Sequence, residues 1–310
     1  MPSSENIVKA VDLTKIYGDL TAVAGVNFEI NPGTCYGFLG PNGAGKTTVM
    51  RMIYCNTPLS SGLLMVNGHD VMQDMRAVKR DIGVVTQDDS LDYDLNVLNN
   101  LLVYARYYDL TREQAIRRAD ELIEFFQLSE KRTENVRALS GGMKRRLQIA
   151  RALINKPSIL ILDEPSTGLD PQARHHVWAK CHELLEQGVT LLLTTHYMDE
   201  AEQLCDRLAV MDRGHIIKED SPWDLIKSEV SPHVVEIRGD EKHRKSILAE
   251  VTGQIDFHEA LSDRLLLYTP DATPLHTHIQ EMGLPLKTLL TRRSSLEDVF
   301  LKLTGRGLID

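Results

Sequence analysis

The stretch GPNGAGKTT, from Gly40 to Thr48, decides the fold of this chain. It fits the phosphate-binding pattern G-x-x-x-x-G-K-[ST], in which glycines let the backbone curl so that its N–H groups point at phosphate oxygens. Lys46 adds a positive charge for the β and γ phosphates, and Thr47 offers a hydroxyl to Mg²⁺. The apolar run before the stretch predicts a buried strand, and the run after it a helix whose N-terminus favours anions. We therefore predict a P-loop that binds a nucleoside triphosphate through Gly40, Pro41, Asn42, Gly43, Ala44, Gly45, Lys46, Thr47 and Thr48.

A second motif, SILILD, ends in a carboxylate. The apolar run from Ser158 to Asp163 predicts a central parallel strand, and α/β sheets place ligands at the carboxyl ends of such strands. Asp163 is then placed to hold Mg²⁺ through water, and Glu164 to polarise an attacking water. An ordinary buried strand with a solvated Asp-Glu turn would give the same letters, so this prediction depends on the P-loop.

A third motif, LSGGMKRRLQIARALI, runs from Leu139 to Ile154. Ser140 is a good N-cap, and Gly141 and Gly142 leave backbone N–H groups open to an anion. The basic run KRR that follows is unfavourable near a helix N-terminus unless an anion or an acidic partner lies beside it. A capped amphipathic helix with a solvated basic face is the alternative.

Together these motifs resemble those of the ABC ATPases, whose signature LSGGQ is matched by Leu139–Met143. Tyr17 in KIYG, Gln87 in VVTQDD, Ser166–Asp170 as STGLD and His196 in LLLTTH follow the order of that family. The resemblance covers roughly the first 220 residues. It implies an α/β fold, that of an ABC-type P-loop NTPase. An antiparallel β subdomain and a helical subdomain at about 90–155 would belong to one nucleotide-binding domain, residues 1–222.

The resemblance also implies how the site holds MgATP. Tyr17 would stack on adenine, and Lys46 would hold the β and γ phosphates. Mg²⁺ would be bound directly by Thr47 and Gln87, and by Asp163 through its water shell.

In the same family each ATP lies between two subunits. Glu164 would be the general base, and His196 would hydrogen-bond the γ-phosphate. Ser140, Gly141 and Gly142 would contact the ATP bound to a second ATPase subunit, which we expect to be an identical copy. Asp170 would be the D-loop residue. Met143 departs from the family because it replaces the signature glutamine.

A closer resemblance is to the ATPase subunits of ABC-2-type exporters, which include those for nodulation factors, drugs and polysaccharides. It is carried by IGVVTQDDSLDYDLNVLNNLLVYARYY, LSGGMKRRLQIARALI, GLDPQARHHVW and RSSLEDVFLKLTG. It implies ATP hydrolysis that drives export through a separate ABC-2-type membrane permease, with this chain bound peripherally at the cytoplasmic face of the inner membrane. Three alternatives stay open: a soluble ABC ATPase of the repair or translation type, an import subunit, and a P-loop phosphotransferase.

Composition limits the other classes of function. The 310 residues carry a net charge of −9, which argues against general binding of nucleic acid. No apolar stretch approaches the roughly 18 residues of a membrane span, and the polar N-terminus does not look like a secretion signal. The four cysteines form no C-x-x-C pair, so we expect reduced thiols.

The pattern after Ser221-Pro222 predicts a small α+β C-terminal domain, residues 231–310. Ser294 and Glu297 have the spacing of a capping box at the start of its last helix. The histidines here, including His276 and His278, are not at metal-ligand spacing, and we expect them on a solvated surface. The predicted strands are Val234–Ile237 and Leu265–Tyr268, and the predicted helices are Arg244–Val251, Leu275–Met282 and Ser294–Leu303.

Overall fold

The structure, a computed structural model, describes residues 6–304. These residues form two compact units that divide between Glu219 and Asp220. The second unit therefore includes residues 223–230, which the sequence leaves unassigned between the predicted parts 1–222 and 231–310. The functions assigned to the two parts stay predictions. No helix among residues 6–304 is long and apolar enough to cross a bilayer.

The first unit alternates strands and helices from its P-loop onward. Its strands are β1 (Val8–Tyr17), β2 (Leu20–Ile30), β3 (Cys35–Leu39), β4 (Ser61–Val66), β5 (His69–Asp70), β6 (Ile82–Val85), β7 (Ile159–Asp163), β8 (Thr190–Thr195), β9 (Arg207–Asp212) and β10 (His215–Asp220). Its helices are α1 (Lys46–Ile53), α2 (Met75–Asp81), α3 (Val97–Ala105), α4 (Arg112–Phe125), α5 (Gly141–Ala152), α6 (Pro171–Glu186) and α7 (Met198–Leu204).

A six-stranded sheet in the order β10-β9-β3-β8-β7-β6 forms the core of this unit. β3 pairs in parallel with β8 and β9, and β7 pairs in parallel with β6 and β8. Every residue of β3, β7 and β8 is buried, as expected for strands covered on both faces. The parallel pairing brings the carboxyl ends of β3, β6, β7 and β8 to one edge, where the P-loop and the SILILD carboxylate meet.

A second, antiparallel sheet has the order β2-β1-β4-β5. Tyr17 ends β1 and pairs with Leu20 at the start of β2, so the tyrosine lies at the tip of a hairpin. Its side chain is partly exposed. This confirms the predicted antiparallel region and places Tyr17 where it can meet a ligand.

Three capped helices follow the strand that leads to Gln87. Asn96 caps α3 through Asn99 N, and Thr111 and Gln114 form a capping box at α4. Ser140 caps α5. The other end of α5 packs closely on β6, since a Cβ at Gly83 would lie 2.1 Å from Ala152 O. The C-terminal end of α5 is therefore in close contact with the main sheet.

The second unit is a β-α-β-β-α-β arrangement between two flanking helices. Its elements are α8 (Pro222–Glu229), β11 (His233–Arg238), α9 (Glu241–Val251), β12 (Phe257–Ala260), β13 (Arg264–Thr269), α10 (Ala272–Glu281), β14 (Thr288–Arg293) and α11 (Leu296–Thr304). The antiparallel sheet has the order β12-β13-β11-β14, and one face packs Val235, Ile237, Leu265 and Leu267 against α9 and α10. The sequence predicts β11 and β13 but misses the edge strands β12 and β14.

The last helix starts two residues later than predicted. Ser295 and Asp298 form its N-terminal contacts, with Ser295 N donating to Asp298 Oδ2 at 2.8 Å, whereas the Ser294 hydroxyl donates to Ser231 O. The predicted Ser294–Glu297 box is therefore wrong, because the carboxylate one residue further on takes the capping contact. The apolar face is core as expected, since Leu296, Val299 and Phe300 are buried. α11 also packs against α8.

Candidate active site

Two glycines of the P-loop, Gly40 and Gly45, lie where a side chain would clash with another backbone. A Cβ at Gly40 would lie 2.2 Å from Met211 O, and a Cβ at Gly45 would lie 2.5 Å from Ala22 O. Gly45 has φ +106° and Gly43 has φ +81°, both in the region that favours glycine. The loop therefore curls tightly between the end of β3 and the start of α1. Because Gly45 carries no side chain to cap α1, the first N–H groups of that helix are left to an anion.

Lys46 lies at the floor of this loop. It is 5% exposed, and its Nζ donates to Gly40 O at 2.7 Å and to Pro41 O at 3.0 Å. Burial lowers the pKa of the Lys46 ammonium, while Glu164 and Asp163 oppose that shift. The cation is thus held by the loop itself and desolvated, which strengthens its attraction for an incoming phosphate.

A cavity of about 660 Å³ opens above the P-loop. This volume lies within the range of small-molecule and cofactor sites, roughly 300–1,000 Å³. The Tyr17 ring, with Lys15 Nζ 4.8 Å from its centroid, lines one end, and Glu164 and Gln87 line the other. Predicted site residues on its wall are Tyr17, Asn42, Gly43, Ala44, Gly45, Lys46, Thr47, Thr48, Gln87 and Glu164.

Glu164 contacts Gln87, Thr167 and His196 at the end of the cavity opposite Tyr17. Its Oε2 accepts from Gln87 Nε2 at 3.1 Å and from Thr167 Oγ1 at 3.2 Å. Its Oε1 lies 3.2 Å from His196 Nδ1, within ion-pair distance but outside hydrogen-bond geometry, since that nitrogen has no hydrogen-bond partner. Glu164 also has φ +49°, an unusual value for a non-glycine residue and one that tends to occur at functional sites. The structure thus brings three of the predicted residues together.

Asp163 lies one residue before, at the end of β7. It is 8% exposed and accepts a hydrogen bond from the Thr194 hydroxyl. With the Thr47 hydroxyl and the Gln87 amide oxygen it offers the oxygen donors that Mg²⁺ prefers. Residues 6–304 contain no cluster of three His, Cys, Asp or Glu suited to a metal. The donor set of Thr47, Gln87 and Asp163 fits a cation held by a few protein oxygens, as Mg²⁺ usually is.

Ser140, Gly141 and Gly142 do not line this cavity. Ser140 and Gly141 are exposed, and Ser140 Oγ accepts from Met143 N at 3.3 Å as the cap of α5. Asp170 likewise caps α6, with Oδ1 accepting from Ala173 N at 2.8 Å. Ser140, Gly141 and Asp170 are thus exposed, Gly142 is half-buried, and none of the four lines the cavity above the P-loop.

The basic run Lys144–Arg146 does not form an anion site of its own. Arg146 donates to Phe126 O at 2.8 Å, and Lys144 Nζ lies 4.9 Å from the centroid of the Tyr93 ring. Arg145 is 8% exposed and donates mainly to backbone carbonyls. Contacts within the chain therefore take up much of this charge, and an anion or acidic partner beside the run stays a prediction.

Arg213 is a cavity residue that the sequence prediction missed. It lies with φ +47° at the hairpin between β9 and β10 and lines the nucleotide cavity. Gly214 N donates to Ala44 O at 3.0 Å and Ala24 N donates to Gly214 O at 2.9 Å, so this hairpin is bound to the P-loop and to β2. The sequence Arg213-Gly214 predicts a turn. It does not predict the contact of this turn with Ala44, about 170 positions earlier, because that contact depends on the fold.

Comparison with known proteins agrees with this geometry. The ABC transporter profile matches residues 23–167, and the profile of the C-terminal domain of the nodulation factor export protein NodI matches residues 249–305. The Nod factor export ATP-binding protein I of Cupriavidus metallidurans is 44% identical over 98% of this chain and 99% of its own length. The protein of the same name from Rhizobium etli is 44% identical over 96% of this chain and 93% of its own.

Two solved structures show the same fold. An ATP-binding cassette solved as a dimer in a post-hydrolysis state with ADP and Pi has a TM-score of 0.63 at 27% identity, over 69% of this chain and 98% of its own. The cbiO1 protein of Clostridium perfringens, part of the cbiONQ ABC transporter complex, has a TM-score of 0.68 at 25% identity, over 80% and 97%. The chain therefore belongs to the ABC transporter family, as an ATP-binding exporter subunit with a NodI-type C-terminal domain.

Proposed function

We propose that two copies of this chain bind two MgATP molecules between them and hydrolyse ATP to drive export through a separate ABC-2-type permease. The observation that carries the proposal is the split between the two halves of the site. Phosphate-binding and base residues line one cavity, whereas Ser140–Gly142 are presented at the surface outside it. Each chain thus has an incomplete site and a matching group for a second one.

Within one chain the P-loop would bind and orient the triphosphate. Lys46 Nζ and the first N–H groups of α1 would face the β and γ phosphates. Thr47 and Gln87 would hold Mg²⁺ directly, and Asp163 through water. Bound there, Mg²⁺ would neutralise charge on the β and γ phosphate oxygens.

Glu164 would accept the proton of the attacking water. Its Oε2 already accepts two hydrogen bonds, from Gln87 and Thr167, so Oε1 would be the oxygen that receives the proton. Oε1 is also the atom nearest His196. His196 would then orient the γ-phosphate against this carboxylate.

The permease would dock beside Gln87, in what we name the Tyr104 groove. This cavity of about 380 Å³ is lined by Thr86, Ser90, Tyr104, Tyr108 and Arg151 among others. The Arg151 guanidinium lies 4.7 Å from the centre of the Tyr104 ring and donates to Ser90 O at 2.6 Å. A cytoplasmic loop of the permease seated here would place the chain peripherally at the cytoplasmic face of the inner membrane. Its movement would reach Gln87 through the intervening residues.

A pulldown of the tagged full chain from detergent-solubilised membranes tests this proposal. We expect a polytopic permease to co-purify, with ATP hydrolysis by the complex. Tyr108→Ser should lower permease recovery and leave ATP binding unchanged, whereas Tyr107→Ser, on the exposed neighbour outside the groove, should not. If the chain hydrolysed ATP at a full rate and no membrane protein co-purified, a soluble ABC ATPase would be favoured. If a solute-binding protein co-purified, an import subunit would be favoured.

A further inference from the structure

Arg145 connects two parts of the molecule that the proposed function uses separately. It lies on α5, one turn after the Ser140–Gly142 segment that would close over the partner's nucleotide. Its side chain reaches the end of β7 and the two residues after it, Asp163 to Pro165, which we name the catalytic loop. Arg145 is buried at 8% exposure, whereas the segment at the start of the same helix is largely exposed.

The Arg145 guanidinium donates five hydrogen bonds. Three go to consecutive carbonyls of the catalytic loop, and one goes to the carbonyl before Gln87. The acceptors are Pro165 O at 2.8 Å, Asp163 O at 3.0 Å, Glu164 O at 3.1 Å, Thr86 O at 3.0 Å and Gln148 Oε1 at 2.9 Å. A guanidinium has five N–H donors, one on Nε and two on each Nη, and this matches the one contact of Nε and the two contacts of each Nη.

The hydrogen bonds of Arg145 lie on both sides of the Glu164 Cα along the chain. Nη2 of Arg145 reaches both Asp163 O and Glu164 O, which belong to the peptide units on either side of the Glu164 Cα. On the opposite side, Glu164 N donates to Thr194 O at 3.0 Å. Since Glu164 has φ +49°, a conformation that costs about 1–3 kcal/mol for such a residue, surrounding contacts must hold it there.

Stabilisation alone explains this arrangement poorly. The buried guanidinium is desolvated, and its five acceptors are uncharged carbonyl or amide oxygens, so none of them forms an ion pair that would offset the desolvation cost. An apolar side chain at this position would avoid that cost. The planar fork is, however, suited to bind several carbonyls in fixed relative positions, which a lysine point charge cannot do.

We propose that Arg145 is a positioning residue that makes α5 and the catalytic loop move as one body, so that closure over the partner's ATP aligns Glu164 in this chain's own site. This inference rests on the proposed function. Nucleotide contact at Ser140 would shift the start of α5, and Arg145 would pass that shift to Glu164 and to Thr86 before Gln87. The two ATP sites of the dimer would thereby be coupled through this one side chain.

The test compares Arg145→Lys with Arg146→Lys in the full chain. Both variants keep the charge, but Arg146 makes one hydrogen bond, to Phe126 O, and touches no part of the catalytic loop. We expect Arg145→Lys to lower kcat about a hundredfold, the loss typical of a catalytic group displaced by about 1 Å. The Kd for ATP should stay the same, because the P-loop is untouched. The Hill coefficient of the ATPase rate should fall to about 1, since hydrolysis in one site would no longer depend on closure over the ATP of the other. Arg146→Lys should match the wild type.

Each other outcome contradicts the inference. Wild-type kcat and Hill coefficient in Arg145→Lys would show that the fork is not needed. A joint loss of Tm and ATP binding in Arg145→Lys would show that Arg145 serves folding instead. If the wild-type protein itself did not hydrolyse ATP, the proposed function would fail first, so the two failures are distinguishable.

Discussion

Replacing Glu164 by glutamine separates binding of ATP from its hydrolysis. The amide has the size of the carboxylate, and its oxygen can still accept from Gln87 and Thr167, 3.1 and 3.2 Å away in the native contact. Its NH₂ group would then face His196 Nδ1, which lies 3.2 Å from Oε1 and has no hydrogen-bond partner. Every ground-state contact therefore has a replacement, and only the ability to take a proton is lost.

The expected loss follows from that single change. A positioned general base contributes about 10²–10⁴ in rate, so the barrier should rise by about 2.7–5.4 kcal/mol. Because Lys46 and the P-loop amides are unchanged, the Kd for ATP should not rise. With ATP bound and not consumed, two chains should stay closed on each other, and the mutant should sediment as a dimer in MgATP.

The assay measures phosphate release and sedimentation on the same samples. Glu121→Gln, the same change on the exposed face of α4, serves as the matched control and should behave as wild type. A Glu164→Gln protein that stays monomeric with ATP and hydrolyses it at the wild-type rate would refute the base assignment. Loss of ATP binding in this variant would instead show that the carboxylate is part of the nucleotide contact.

Three further outcomes can be checked. Lys46→Ala should abolish turnover and sharply weaken binding of fluorescent ATP, because the only buried cation of the P-loop is removed; unchanged affinity and turnover would contradict the P-loop assignment. Met143→Gln should change kcat only modestly, since Ser140 and two glycine amides would carry the proposed anion contact; a rise above about a hundredfold, worth roughly 2.7 kcal/mol, would show that methionine limits the enzyme. Asp298→Asn should destabilise the second unit by about 3 kcal/mol at pH 7, because it breaks the contacts of a buried carboxylate with the partly exposed Arg292 at 2.6 and 2.8 Å. Burial raises the pKa of Asp298, but Arg292 and the other hydrogen bonds outweigh it, so the folded-state pKa is lowered. The stabilisation is therefore present above the unfolded pKa of about 3.9 and is lost as pH falls through the folded value. Calorimetry at pH 7 and in acid should show the difference in stability between the variant and the wild type shrinking in acid.

The phosphate end of the site could be predicted from sequence because its residues are contiguous and each answers a local demand. Gly40 and Gly45 are required where a Cβ would meet another backbone oxygen, and Lys46 follows directly. The β7 strand was equally readable, since five buried residues in a row suit a strand covered on both faces.

What the sequence could not reveal depends on distant parts of the chain. The basic run at the start of α5 looks solvated or anion-binding until the fold places the carbonyl of Thr86, 59 residues away, beside Arg145. The edge strands β12 and β14 have mixed burial and lack the continuous apolar run that identified β13. At α11, two serines precede two carboxylates, and only the tertiary position of Asp298 decides which pair forms the cap.

The packing of α8 against α11 decides where this protein can be shortened. Leu225 of α8 is fully buried, and the Lys302 ammonium of α11 donates to Glu229 O. A chain ending at Glu229 would retain α8 and delete the helix it packs on, which would expose the apolar face of α8. Ending the chain at Glu219 removes both helices together, so a truncated chain meant to contain the ATPase unit alone should end at Glu219.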